Sequence, residues 1–238
     1  MQLVFICGGR GTRLGERKPS GVPKSMIALG AEPLVGRLMR QLLPYHAASA
    51  PPVFVVAGDD EHVARFARAR CPGAAIVRQA APDGVANAML CARHLVRGPA
   101  LVVLGDLVLD GRLVEPWPPA PALAVWSGGD AASVRRNYGV RLRGELVEEL
   151  AEKPPDPGDL ACGLGLYLLT PEVLDLFALA PIDPSRNERE ITEALRFAMR
   201  RGVRFSALRF EGRYININTP ADLDAARALD AARALDGA

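Results

Sequence analysis

Apolar runs at residues 3–6, 53–57, 75–77 and 100–104 alternate with helical patterns over 33–43, 62–69 and 85–95. Strands that are apolar on both faces need cover on both faces, as in a sheet packed between helices. The alternation therefore predicts an α/β chain, with a Rossmann-like mixed, mostly parallel sheet flanked by helices. In such sheets ligands lie beyond the carboxyl ends of the strands. The segments beginning at Gly8, Gln79 and Gly105 all leave from those ends, so they are expected to converge on one site.

The first of these segments carries chemistry. Cys7-Gly8-Gly9-Arg10-Gly11-Thr12-Arg13-Leu14 follows the first run, and Pro23-Lys24 comes ten residues later. Glycines at 8, 9 and 11 can take left-handed backbone and turn bare N–H groups towards an anion. Arg13 and Lys24 add fixed cations, both expected to be exposed in a cleft. The third glycine and downstream acid of a dinucleotide fingerprint are missing, as is the Gly-Lys-Ser/Thr of a P-loop. The loop reads as a phosphate site of another kind.

Beyond residue 121 the pattern shifts to shorter strands, at 122–126, 138–142, 146–150, 163–169 and 203–210, with Gly144 as a hairpin turn. Four prolines within 116–121 rule out helix and central strand there and make that stretch a surface connection. The six-residue repeat at 224–236 reads as a terminal helix with a frayed end. His46, His62 and His94 have no motif company and read as helix-surface or core-edge residues. With 238 residues and no linker, one domain is expected over 1–238.

Taken in order, the motifs resemble the sugar-1-phosphate nucleotidylyltransferases, from Leu3 to about Ala226. The loop GGxGTRL with its Pro-Lys is joined by Gln79-Ala80-Ala81-Pro82-Asp83-Gly84-Val85-Ala86-Asn87-Ala88, similar to a QxxPxGxAxA segment. Leu104-Gly105-Asp106, Tyr138-Gly139-Val140, Glu152-Lys153-Pro154, Gly163-Leu164-Gly165-Leu166-Tyr167 and Asn187-Glu188-Arg189-Glu190-Ile191-Thr192-Glu193 follow. Tyr214 to Pro220 sits where that family has W-x-D-I-G-T-P, with Asn216 in place of the aspartate and Asn218 in place of the glycine.

The resemblance implies a nucleotidyltransferase fold of the glycosyltransferase-A-like kind, with a nucleotide-binding half at 1–115 and a sugar-phosphate half at 116–238. It implies nucleotidyl transfer from an NTP, dTTP or UTP favoured, to a sugar 1-phosphate. Gly8, Gly9, Gly11, Thr12, Gln79 and Gly84 would bind nucleotide, with Gln79 offering donor and acceptor to the base and Gly84 letting the backbone approach it. Arg13, Lys24 and Asp106 would be catalytic. Tyr138, Gly139, Glu152, Lys153, Gly165 and Glu190 would hold the sugar phosphate, Glu190 beginning a helix where an acid also suits the dipole. Asp106 and Asn216 would hold Mg²⁺, Asn216 without charge. A cytidylyl- or guanylyltransferase acting on a cyclitol phosphate or phosphocholine, or a non-catalytic nucleotide-sugar binder, remain as alternatives. No C-terminal β-helix domain is expected.

The 29 basic and 27 acidic residues nearly balance, which gives no nucleic-acid face. Cysteines at 7, 71, 91 and 162 form no CxxC pair and no metal-ligand spacing, and three of them sit in apolar surroundings and read as small core fillers, which fits a reduced cytoplasm. No run approaches the roughly eighteen apolar residues of a membrane span, so no membrane partner is expected. A homo-oligomer is compatible with the sequence.

Overall fold

The computed structural model describes residues 1–9, 11–47 and 50–236. Its strands are β1 (Gln2–Ile6), β2 (Ala28–Leu29), β3 (Glu32–Pro33), β4 (Val53–Ala57), β5 (Ala75–Gln79), β6 (Ala100–Leu104), β7 (Leu107–Leu113), β8 (Ala122–Trp126), β9 (Tyr138–Arg143), β10 (Leu146–Glu152), β11 (Ala161–Leu169) and β12 (Ser206–Asn216). The α-helices are α1 (Leu34–Leu42), α2 (His62–Arg70), α3 (Val85–Ala92), α4 (Ala131–Arg136), α5 (Pro171–Leu179), α6 (Ile191–Arg200) and α7 (Pro220–Asp236). β2 and β3 form a separate hairpin, and the other strands make one sheet in the order β5-β4-β1-β6-β11-β8-β12-β10-β9, with β7 also on β12.

The α/β reading holds, with a mixed sheet flanked by helices. The expectation of a mostly parallel sheet does not. β1, β4, β5 and β6 run parallel to one another and β8 runs parallel to β12, but every other pairing in the large sheet is antiparallel. The alternating pattern that predicts parallel strands stops at β6, and β11 then enters antiparallel beside it. β11 also pairs with both β8 and β9, so β11, β8, β12, β10 and β9 close on themselves.

Alternate side chains of the parallel strands enter different cores. Val4, Ile6, Val53, Val55 and Val102 face one cluster with α3, α5 and α6. Leu3, Phe5, Phe54, Val56 and Leu101 face another with α1 and α2. A third cluster joins Leu14 of the glycine loop to Ile217, Leu223 and Ala226, so the loop is pinned against the start of α7. The hairpin at Gly144 (φ 61°) joins β9 and β10 as expected. β12 runs further than the predicted strand and pairs along its second half with β7, which the sequence pattern did not mark. That extension brings Asn216 opposite Leu107, next to Asp106. Among the described residues no helix is long and apolar enough to cross a membrane.

Candidate active site

The carboxyl ends of β1, β5 and β6 open onto a cleft of about 450 Å³ whose other wall comes from β9 to β12 and the start of α6. Every site residue expected from the sequence lines it except Gly139. Gly139 lies within the β9 ladder, and a side chain there would press on Leu160, 2.6 Å away, so that glycine answers to packing.

Of the three loop glycines, Gly11 alone takes left-handed backbone (φ 64°). Among the described residues no backbone carbonyl accepts from the N–H groups of Gly8, Gly9 or Gly11, which leaves these donors for a ligand. Gly9 accepts from the Lys24 backbone N–H at 3.2 Å, so the Pro-Lys segment is tied to the loop. Arg13 is exposed on the cleft rim. Lys24 is not exposed as expected: its side chain is 8 % accessible, and Nζ donates to Asp106 Oδ2 at 2.6 Å and Asn218 Oδ1 at 3.0 Å. A buried ammonium needs such partners, since desolvation would otherwise exclude its charge.

Two buried oxygens beside this pair, Asp106 Oδ1 and Asn216 Oδ1, have no hydrogen-bond partner among the described residues. Asn216 Nδ2 donates to Asn137 Oδ1 at 3.2 Å, which fixes which end of the amide stays open. Unpaired buried oxygens are costly unless something binds them. Two hard oxygen donors, one charged, suit a small divalent cation that keeps water and substrate phosphate in its shell. They do not make an all-protein cage, and among the described residues no group of three or more acidic, His or Cys side chains is placed to hold a metal ion.

Gln79 differs from expectation. Its Nε2 donates to Asp83 Oδ1 at 2.7 Å and to the Gly84 carbonyl at 3.1 Å. Both neighbours are acceptors only, so the amide has one orientation and both N–H groups are spent. Oε1 lies over Gly8, where a Cβ would come within 3.1 Å of it. Gln79 thus offers the cleft an acceptor rather than a donor–acceptor pair. Gly84 (φ 105°) has its missing side chain's place taken by Arg189, whose carbonyl oxygen would stand 2.4 Å from a Cβ. The glycine is required by main-chain packing, whatever else approaches it. Gly84→Ala combines left-handed strain with overpacking and is expected to cost about 2–4 kcal/mol, seen as a melting midpoint lower by several degrees in a thermal scan.

On the far wall, Lys153 sits at φ 40°, a strained conformation for a lysine, held by its N–H bond to the Asn137 carbonyl at 3.0 Å. Its Nζ lies 3.3 Å from Glu152 Oε1, and Glu152 Oε2 accepts from Thr192 Oγ1 at 2.8 Å. Glu190 caps α6, accepting from the N–H groups of Thr192 at 3.0 Å and Glu193 at 2.8 Å. Burial pushes its carboxyl above the usual range, against those bonds and with the Glu152 charge adding to the rise. Tyr138 donates to the Leu164 carbonyl at 3.1 Å, and burial raises its phenol well above the ordinary value, so it serves as wall. Sequence reasoning missed Asn137, which joins Asn216 to Lys153, and gave Asn218 no role. Adjacency to Tyr138 and the departure from glycine at 218 were the signals available.

The MobA-like NTP transferase domain profile matches residues 3–159. The chain belongs to that family. A UTP–glucose-1-phosphate uridylyltransferase, AglF of Haloferax volcanii, is 29% identical over 95% of this chain and 95% of its own. The bifunctional protein GlmU of Methanococcus aeolicus is 24% identical over 94% of this chain but 53% of its own, so this chain spans about half of it. Among solved structures, a UDP-glucose pyrophosphorylase complexed with UDP-glucose superposes with a TM-score of 0.76, 20% identity and coverage of 99% and 98%. The inositol-1-phosphate CTP transferase from T. maritima gives 0.80, 17%, and 97% and 94%. These two speak for a shared fold. The motif resemblance to sugar-1-phosphate nucleotidylyltransferases agrees with the relatives.

Proposed function

We propose that this chain acts as one catalytic unit that transfers a uridylyl or thymidylyl group from UTP or dTTP to a sugar 1-phosphate, with Mg²⁺, releasing pyrophosphate. The observation that carries the reading is the Lys24 ammonium, set beneath the glycine loop and bonded to Asp106, where the two walls of the cleft meet. Two polyanions brought together need fixed positive charge between them, and phosphoryl-type transfer asks little else of a protein than position and charge neutralisation.

The sugar-phosphate oxygen attacks the α-phosphorus in line as the bond to the β-phosphate oxygen breaks, and pyrophosphate carries the electron pair away. The free loop N–H groups and Arg13 take the β- and γ-phosphates, and Lys24 serves the α-phosphate. Lys153 meets the sugar's phosphate, while Glu152 and Glu190 accept from its hydroxyls. Mg²⁺ held by Asp106 and Asn216 would add positive charge at the α-phosphate.

The base preference rests on Gln79. With only Oε1 to offer, it suits a base edge bearing N–H, as N3 of uracil or thymine does, and opposes cytosine, whose N3 has a lone pair. A mismatch leaves a buried acceptor facing an acceptor, worth about 1–3 kcal/mol. Pyrophosphate release with UTP, dTTP, CTP, GTP and ATP, each against glucose 1-phosphate and inositol 1-phosphate, is expected to favour UTP or dTTP with glucose 1-phosphate over CTP by at least about tenfold in kcat/KM. CTP with inositol 1-phosphate winning would move the reading to the cyclitol alternative, and no release from any pair would move it to a non-catalytic binder.

A further inference from the structure

The segment that would read the base is held from the opposite wall of the cleft. The Arg189 N–H donates to the Asp83 carbonyl at 2.9 Å, and its own carbonyl accepts from Ala86 N–H at 3.3 Å, so main chain of the acceptor segment clamps the turn around Gly84. The side chain repeats the tie. Arg189 Nη1 donates to Asn87 Oδ1 at 2.6 Å and Nε to the Ala180 carbonyl at 3.0 Å, while Asn87 Nδ2 donates to the Asp83 carbonyl at 3.1 Å. Asp83 and Gly84 are in turn the two acceptors that orient the Gln79 amide. One continuous chain of hydrogen bonds therefore runs from Arg189 to the group facing the base. Arg186, Glu188 and Glu190 line the cleft, but Arg189 does not.

We propose that Arg189 is a positioning residue for the nucleotide: placed in the segment that would serve the sugar phosphate, it sets the orientation of Gln79 through Asp83 and Asn87. The inference rests on the nucleotide reading of the cleft given above. The guanidinium and the Asn87 amide act as a unit, so removing either frees the turn and lets the Gln79 amide reverse, which exchanges acceptor for donor. Nucleotide affinity falls and the preference for UTP over CTP narrows together. The Lys24–Asp106 pair, held by other segments of the chain, is untouched.

The test is calorimetric binding of UTP and of CTP, with Mg²⁺ and without acceptor, to the wild-type chain and to Arg189→Ala, Arg189→Lys, Asn87→Ala and the Arg189→Ala/Asn87→Ala double variant, with each melting midpoint recorded. Both single alanine variants are expected to weaken UTP binding about tenfold and to narrow the UTP to CTP ratio by a similar factor, the double being no worse than either single. Arg189→Lys, which keeps a donor but not the fork, is expected between them and wild type. Should Arg189→Ala fail to fold, Asn87→Ala and Arg189→Lys decide. Wild-type UTP affinity and an unchanged ratio in the folded variants, with only the melting midpoint lowered, would make the clamp structural and overturn the proposal. Additive losses in the double variant would overturn it as well. A wild-type chain that binds no nucleotide overturns the functional reading itself, which is a different outcome.

Discussion

Lys24→Ala is expected to lower kcat by about 10²–10³-fold and also to destabilise the free protein by about 3 kcal/mol. The two losses have separate causes. Turnover falls because a fixed cation no longer faces the developing phosphate charge. Stability falls because Asp106 Oδ2 loses its 2.6 Å partner and Asn218 Oδ1 loses a donor, inside a site where the lysine is 8 % accessible. Arg13→Ala is expected to lose turnover on the same scale with an unchanged melting midpoint, since that side chain is exposed on the rim. Initial rates of pyrophosphate release and thermal scans on both variants check this. Equal rates in folded Arg13→Ala would remove the loop from catalysis, and an unchanged midpoint in Lys24→Ala would mean that the buried pair contributes nothing to the fold.

Metal dependence should move in opposite directions at the two open oxygens. Asp106→Asn is expected to abolish Mg²⁺-dependent activity, because it removes the charged donor and leaves Lys24 with amide partners alone. Asn216→Asp adds a second carboxylate beside Asp106. Without metal the like charges repel and the melting midpoint falls. With Mg²⁺ the midpoint recovers and rises further than in the wild-type chain, since a ligand that binds the folded state more tightly stabilises it more. Titrating Mg²⁺ against melting midpoint and initial rate measures both. A metal response in Asn216→Asp equal to that of the wild-type chain would place Asn216 outside the metal's reach.

The local chemistry was legible where it depends on neighbours in sequence. Apolar runs bounded by glycine, proline or aspartate marked β1, β4 and β6 because a strand buried on both faces has no freedom to be polar, and the glycine loop with Arg13 marked an anion site because few other uses bring those groups together. The antiparallel entry of β11 beside β6 was not legible, since the direction of a strand depends on the path of the chain between elements. Nor were the contacts of Arg189 with Asp83, Ala86 and Asn87, which lie about a hundred residues away, the Asn87 contact spanning 102 positions.

The sequence by itself determined which chemical groups the cleft holds: the loop glycines, the cations Arg13, Lys24 and Lys153, the carboxylates Asp106, Glu152 and Glu190, and an amide where charge was expected. Only the tertiary structure decided how they are deployed. It put Lys24 inside on Asp106 and Asn218, spent both N–H groups of Gln79 on Asp83 and Gly84, and left Asp106 Oδ1 and Asn216 Oδ1 open together. The physical reason is that a hydrogen bond satisfies a group only at contact distance, and the β7–β12 pairing, not the order of residues along the chain, brings 106, 216 and 218 within that distance.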